Sequence, residues 1–267
     1  MVAVDPDVRV GSRRLRVGRR QLLWGLRLVL LGALLGLWQW YGSQPDVFTI
    51  APFTTVMRSF WDGIISGEFL GAVAGTLASV AIGYAIAAVV GVGLGVWIGV
   101  SRYAQNTIEP LSSALYATPV SLFIPVIAVV FGLELGGRVI LIVLWCVFEI
   151  VVTTSGGVKE VSASLIDVAK SFDAPRRVLY RKVVLPAAMP HIVLGLRLGV
   201  ARAMRGAVTA ELMLSAANLG LIVLVAGSRF DVPRLLAGIL LTMLLGLALM
   251  SAASLVERRV LAHYLVR

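Results

Sequence analysis

The chain has 267 residues, a mean hydropathy of +0.93 and only 14% charged residues. A soluble domain carries nearer a quarter, so a single water-facing globule is excluded and the bilayer is the expected solvent. The net charge of +10 is not read as a nucleic-acid footprint, because the bases flank apolar runs and no aromatic-and-basic interleaving is visible.

The N-terminal segment 1–21 carries Arg13, Arg14, Arg16, Arg19 and Arg20 ahead of the run LLWGLRLVLLGALLGLW. Gln39-Trp40-Tyr41 follows with no small-residue cleavage site, so a retained first helix is expected rather than a signal peptide. Hydropathy predicts six spans, at about 22–41, 70–100, 108–132, 138–154, 190–214 and 234–256. The expected fold class is therefore an all-α integral membrane protein with about six transmembrane helices. The second run is longer than one crossing needs, so it tilts or extends past the bilayer. The third contains Pro119 and Pro125, which predict a kink or a break.

A second pattern lies within the second span. Gly71, Gly75, Ser79, Gly83, Ala87, Gly91, Gly95 and Gly99 recur every fourth residue, which places them on nearly one helix face. Such a stripe lets another helix backbone approach closely, as helices do in lipid. The partner is either another helix of this chain or a second copy. Cys146 is the sole cysteine and sits within an apolar run, where it reads as a buried, inert thiol.

Charge then orients the chain. With the N-terminus inside, segments 1–21, 101–107, 155–189 and 257–267 face the cytoplasm. They hold six, one, six and three Lys and Arg, sixteen in all. The outer segments 42–69, 133–137 and 215–233 hold Arg58 and Arg229, with Arg138 and Arg234 at their edges. That asymmetry places both termini in the cytoplasm. The organisation expected is a basic N-terminal segment (1–21), a transmembrane domain (22–256) and a C-terminal tail (257–267).

The longest inner loop, about 155–189, contains DVAKSFDAPRRVLYRKVVLP, Asp167 to Pro186, with two acids and five bases. Asp167-Val168-Ala169-Lys170-Ser171-Phe172 reads as a short helix. Asp173-Ala174-Pro175 reads as a break and restart, Asp being a good N-cap and Pro tolerated in a first turn. A second helix from Arg176 to Val184 is expected to end at Leu185-Pro186. Such a loop, basic and partly apolar, suits docking on a soluble protein; the alternative is a solvated loop near anionic headgroups.

This loop resembles the EAA loop of binding-protein-dependent ABC importer permeases. Asp167-Val168-Ala169 stands at Glu-Ala-Ala, Asp173 at the glycine, and Val183-Val184-Leu185-Pro186 closes the motif at the expected spacing. The flanking stretches ISGEFLGAVAGTLASVAIGYAIAAVVGVGLGVWIGVSR, IEPLSSALYATPVSLFIPVIAVVFGLELGGRV and VLPAAMPHIVLGLRLGVARAMRGAVTAEL are similar to the branch importing nitrate, sulfonates and taurine. The likeness runs from about residue 45 to 260. Two positions depart from the motif, with aspartate in place of its glutamate and of its glycine. Aspartate enters left-handed geometry more readily than most residues.

The resemblance implies a type I ABC importer permease fold and a homodimer in the plasma membrane of a bacterium. It also implies two cytoplasmic ATPase subunits and an extracytoplasmic solute-binding protein. Residues Asp167 to Ala174 with Leu185 and Pro186 would couple to the ATPase, and ATP and Mg would be bound there and not by this chain. No G-x-x-x-x-G-K-[ST] occurs; Gly156-Gly157-Val158-Lys159 lacks the spacing. His191 and His263 lie far apart, so no metal site and no enzyme chemistry is expected.

Charges within the spans are candidate pathway residues. Arg197, Arg202, Arg205 and Glu211 lie on the fifth span. They either line an anion path or serve structure, Arg197 and Arg202 snorkelling or pairing with Glu149 or Glu211. Thr118, Pro119 and Ser121 on the broken third span are further candidates. A stand-alone secondary transporter or channel is the rival reading; it needs its own coupling-ion site, and no inverted repeat is evident.

Overall fold

The computed structural model describes residues 14–44, 49–161, 165, 168, 169, 171, 172, 175–215 and 217–265. Every regular element among them is helical. In order these are α1 (Arg14–Gly42), α2 (Phe53–Ile65), α3 (Glu68–Val100), α4 (Arg102–Ala117), a 3₁₀ turn (Val120–Phe123), α5 (Ile124–Phe131) and α6 (Leu135–Lys159). There follow α7 (Arg176–Leu179), a π segment (Tyr180–Val184), α8 (Leu185–Ala210), a second π segment (Glu211–Ser215), α9 (Asn218–Ser228) and α10 (Val232–Leu265).

Among the described residues, five helical stretches are long and apolar enough to cross a membrane: Gln21–Gly42, Glu68–Val100, Leu135–Lys159, Tyr180–Leu214 and Val232–Ala262. The sixth expected span is a broken pair, Arg102–Ala117 and Val120–Phe131, bent by 94°. Thr118 precedes a proline and takes extended geometry, φ −79° and ψ 133°, as the clash with the proline ring demands. Pro125 then sits in the first turn of α5, where its missing N–H leaves nothing unsatisfied.

The small-residue stripe finds its partner within the chain. Gly83 faces Ile142, Gly91 faces Ile150, Gly95 faces Thr154 and Gly99 faces Val158, all on α6. Each pair is separated by the same number of residues, so α3 and α6 run parallel in register. A Cβ on Gly83 would lie 2.7 Å from Ile142 Cγ2, and one on Gly95 2.6 Å from Thr154 Cβ. Glycine is therefore required for this approach, and close van der Waals packing replaces the hydrophobic drive that lipid does not supply. The stripe ends at Gly71, where a Cβ would meet nothing within 4 Å.

Helix α8 packs on the other side of α6 and runs antiparallel to it: Gly195 meets Thr153, Gly199 meets Ile150 and Gly206 meets Trp145. The core lies along α6, at Ile142, Cys146, Ile150 and Val151 with Ala203, Met204 and Ala207. Cys146 is fully buried and donates to the Ile142 carbonyl at 2.9 Å. Helix α1 is held mainly at one end, where Trp38 Nε1 donates to the Ala51 carbonyl at 3.0 Å and Trp38 stacks edge-on against Phe53. The rest of its span exposes Leu22, Trp24, Leu28 and Val29.

Two helices fall in segments that the sequence reading leaves as outer loops. Helix α2 packs its buried Val56 and Gly63 inward, Gly63 lying against the Phe69 ring. Helix α9 is apolar but has 11 residues, too few to cross a bilayer.

The Leu185-Pro186 pair does not end a helix, contrary to expectation. Leu185 is helical, φ −62° and ψ −46°, and α8 starts there directly after the π segment. A π turn widens the helix by one residue, which relieves the clash between a proline ring and the carbonyl four residues earlier.

Candidate functional site

The α4–α5 break opens a cavity of about 220 Å³ about halfway along α6, lined among others by Tyr116, Thr118, Pro119, Trp145, Phe148 and Arg202. Thr118 fastens its hydroxyl to the Ala114 carbonyl at 2.8 Å. Arg202 Nε donates to Glu149 Oε2 at 2.8 Å, with the two side chains 36% and 12% exposed. The guanidinium lies over the Tyr116 ring, 5.7 Å from its centroid, a favourable cation–π geometry. The tyrosine hydroxyl is 3.4 Å from both Arg202 Nη2 and Glu149 Oε2. Three sequence candidates, Thr118, Pro119 and Arg202, therefore meet at one cavity. Ser121 is exposed and is not part of its wall.

The other charged candidates separate. Arg197 donates from Nη1 to Glu257 Oε2 on α10 at 2.9 Å. Arg205, one turn from Arg202, is exposed. Glu211 is fully buried and accepts from uncharged donors alone among the described contacts. Thr76 Oγ1 lies 2.8 Å from Oε1 and 3.0 Å from Oε2, Asn218 Nδ2 donates to Oε1 at 2.9 Å, and the Gly220 N–H donates to Oε2 at 3.1 Å. Of the two partners that sequence offered the arginines, Glu149 takes Arg202 and Glu211 takes neither. Asn218 has φ 49°, a left-handed conformation that asparagine tolerates better than most residues. A side chain on Gly220 would meet Glu211 itself, 2.7 Å from its carbonyl carbon.

The inner loop divides into a buried base and an exposed edge. Val158, Leu179, Val184, Ala188 and Ile192 form a buried cluster, against which Val96 and Val100 of α3, Ala169 and Leu185 pack. Pro186 is half-buried in the first turn of α8, and Ser171 is exposed. Val168 is 57% and Phe172 82% exposed. Asp167, Lys170, Asp173 and Ala174 lie outside the described residues.

Residues 91–262, from the last three turns of α3 to near the end of α10, match the family model described as the binding-protein-dependent transport system inner membrane component. The chain belongs to that family. This permease is 29% identical to a putative aliphatic sulfonates transport permease protein of Bacillus subtilis over 87% of its own length and 85% of that protein's. It is 32% identical to the riboflavin transport system permease protein of Chloroflexus aurantiacus, over 86% and 87% of the two chains. It also shares the fold of an amino acid ABC transporter solved with histidines, at a TM-score of 0.61 and 15% identity over 75% of this chain and 98% of that one. The permease thus has the type I ABC importer fold and is a transport subunit, not an enzyme. The matched region contains the break, the inner loop and α8 and leaves out α1 and α2.

Tyr116, Trp145 and Phe148 of the permease carry no signal of this cavity in the sequence. Each is an aromatic in an apolar run, and only the packing of α4 against α6 brings Tyr116 to the cavity that the other two line. Thr76 and Asn218 were equally hidden, since Thr76 stands 135 residues from the carboxylate it serves.

Proposed function

We propose that this permease forms, as a homodimer, the membrane path of an ABC importer. It passes a small organic anion, a sulfonate or taurine, inward from an extracytoplasmic binding protein. Two cytoplasmic ATPase subunits drive it, and both termini face the cytoplasm. The carrying observation is the inner loop. Its base is built into the inner ends of α3, α6 and α8, and its edge offers Val168 and Phe172. An apolar residue held out on a basic cytoplasmic loop has a protein partner as its natural cover. Displacement of that edge then reaches three spans at once, which biases a helix bundle between two packings.

The solute reading draws support from the sulfonate relative and from cations at the break. Thr118, Pro119, Ser121, Arg202 and the exposed Arg205 line the path in this reading, while Arg197 and Glu211 hold the bundle together. The riboflavin relative favours a second reading, with a neutral aromatic solute.

Co-purification of the tagged permease from its native membrane tests the coupling. Phe172→Asp is expected to lose an ATPase that wild type retains, with the permease yield unchanged. Ala169 packs inward, so a change there would disturb the loop itself. Recovery of the same ATPase with Phe172→Asp, or of none with wild type, sinks the reading.

A further inference from the structure

The cavity at the break holds two features that packing does not require. Trp145 Nε1 is buried with no hydrogen-bond partner, although buried donors are almost always satisfied. Arg202 commits Nε to Glu149 and makes one long contact from Nη2 to Tyr116. A guanidinium has five N–H groups, so most of its donors remain uncommitted. Both residues line the same space, whose other walls include Tyr116 and Phe148. At about 220 Å³ it is smaller than the ~300–1,000 Å³ typical of sites for drug-sized ligands.

We propose that this cavity is a transit subsite for the anionic headgroup of the solute, with the Trp145 N–H and the free edge of Arg202 as donors. Glu149 is the residue that keeps the subsite weak. An arginine alone in a low-dielectric setting holds an oxyanion tightly. A transport path needs binding strong enough to admit the solute and weak enough to release it. Glu149 at 2.8 Å from Arg202 removes most of the net charge while leaving donors free. The aromatic walls suit a short apolar chain behind the headgroup. The subsite rests on the anionic-solute reading given above.

Radiolabelled ethanesulfonate is the probe. Its equilibrium binding is measured on the permease–ATPase complex in nanodiscs, and its uptake in proteoliposomes with saturating binding protein. Trp145→Phe keeps the ring, removes the donor and weakens binding about tenfold, the scale of a hydrogen bond to a charged group. Glu149→Gln tightens binding about tenfold and slows uptake severalfold. That gain in affinity cannot come from a misfolded protein. If wild type imports ethanesulfonate and either fails to bind it here or binds it no differently from both variants, the subsite is overturned and the anion reading stands. If wild type imports riboflavin and neither ethanesulfonate nor taurine, both fall.

Discussion

Glu149 and Glu211 are two carboxylates in the same apolar bundle, held in opposite ways. Glu149 shares its charge with Arg202 at the edge of a cavity. Glu211 is sealed and accepts four contacts from the Thr76 hydroxyl, the Asn218 amide and the Gly220 N–H. Enclosing a carboxylate is costly unless its lone pairs are filled, and α3 and α9 together supply the donors that fill them. The contrast separates a charge kept available from a charge used as a fastener.

Four substitutions test this contrast. Glu211→Ala is expected to have the largest effect, because it strands two buried donors, the Thr76 hydroxyl and the Gly220 N–H, at about 1–3 kcal/mol each, and the half-buried Asn218 amide besides. The thermal midpoint of the purified permease should fall furthest of the series; an unchanged midpoint would remove Glu211 as a fastener. Thr76→Val keeps the shape and loses one donor, so it should cost about 1–3 kcal/mol on the same measurement. Glu149→Gln sits beside a half-exposed arginine and should move the midpoint by only about 1 kcal/mol, its effect appearing in solute uptake. Arg234→Ala removes the exposed pair with Glu68 and should change stability by less than about 1 kcal/mol. It is the baseline against which the buried sites are read.

Parts of this arrangement are legible in the residues. The four-residue period of small side chains marks the α3 contact face, and Pro119 marks the break, because both act through local geometry. Helices α2 and α9 are not legible, since 13 and 11 residues fall below the length that hydropathy recognises. Leu185-Pro186 misleads, because the π turn before it relieves the strain that would otherwise end the helix. The site at Glu211 is hidden for a different reason. Its partners come from two other helices, α3 and α9, and nothing about Thr76 or Asn218 in isolation announces a carboxylate acceptor.

The parallel α3–α6 seam has a mechanical consequence. Each glycine seats one side chain of the neighbouring helix, and the seats repeat every four residues over most of the seam. A sliding motion smaller than one helical turn, about 5.4 Å, would drive a side chain into backbone. The two helices therefore share one set of coordinates and behave as a single strut, leaving articulation to the α4–α5 elbow and the two π segments. Spin labels on α3 and α6 should keep one fixed separation in nucleotide-free and nucleotide-trapped complexes.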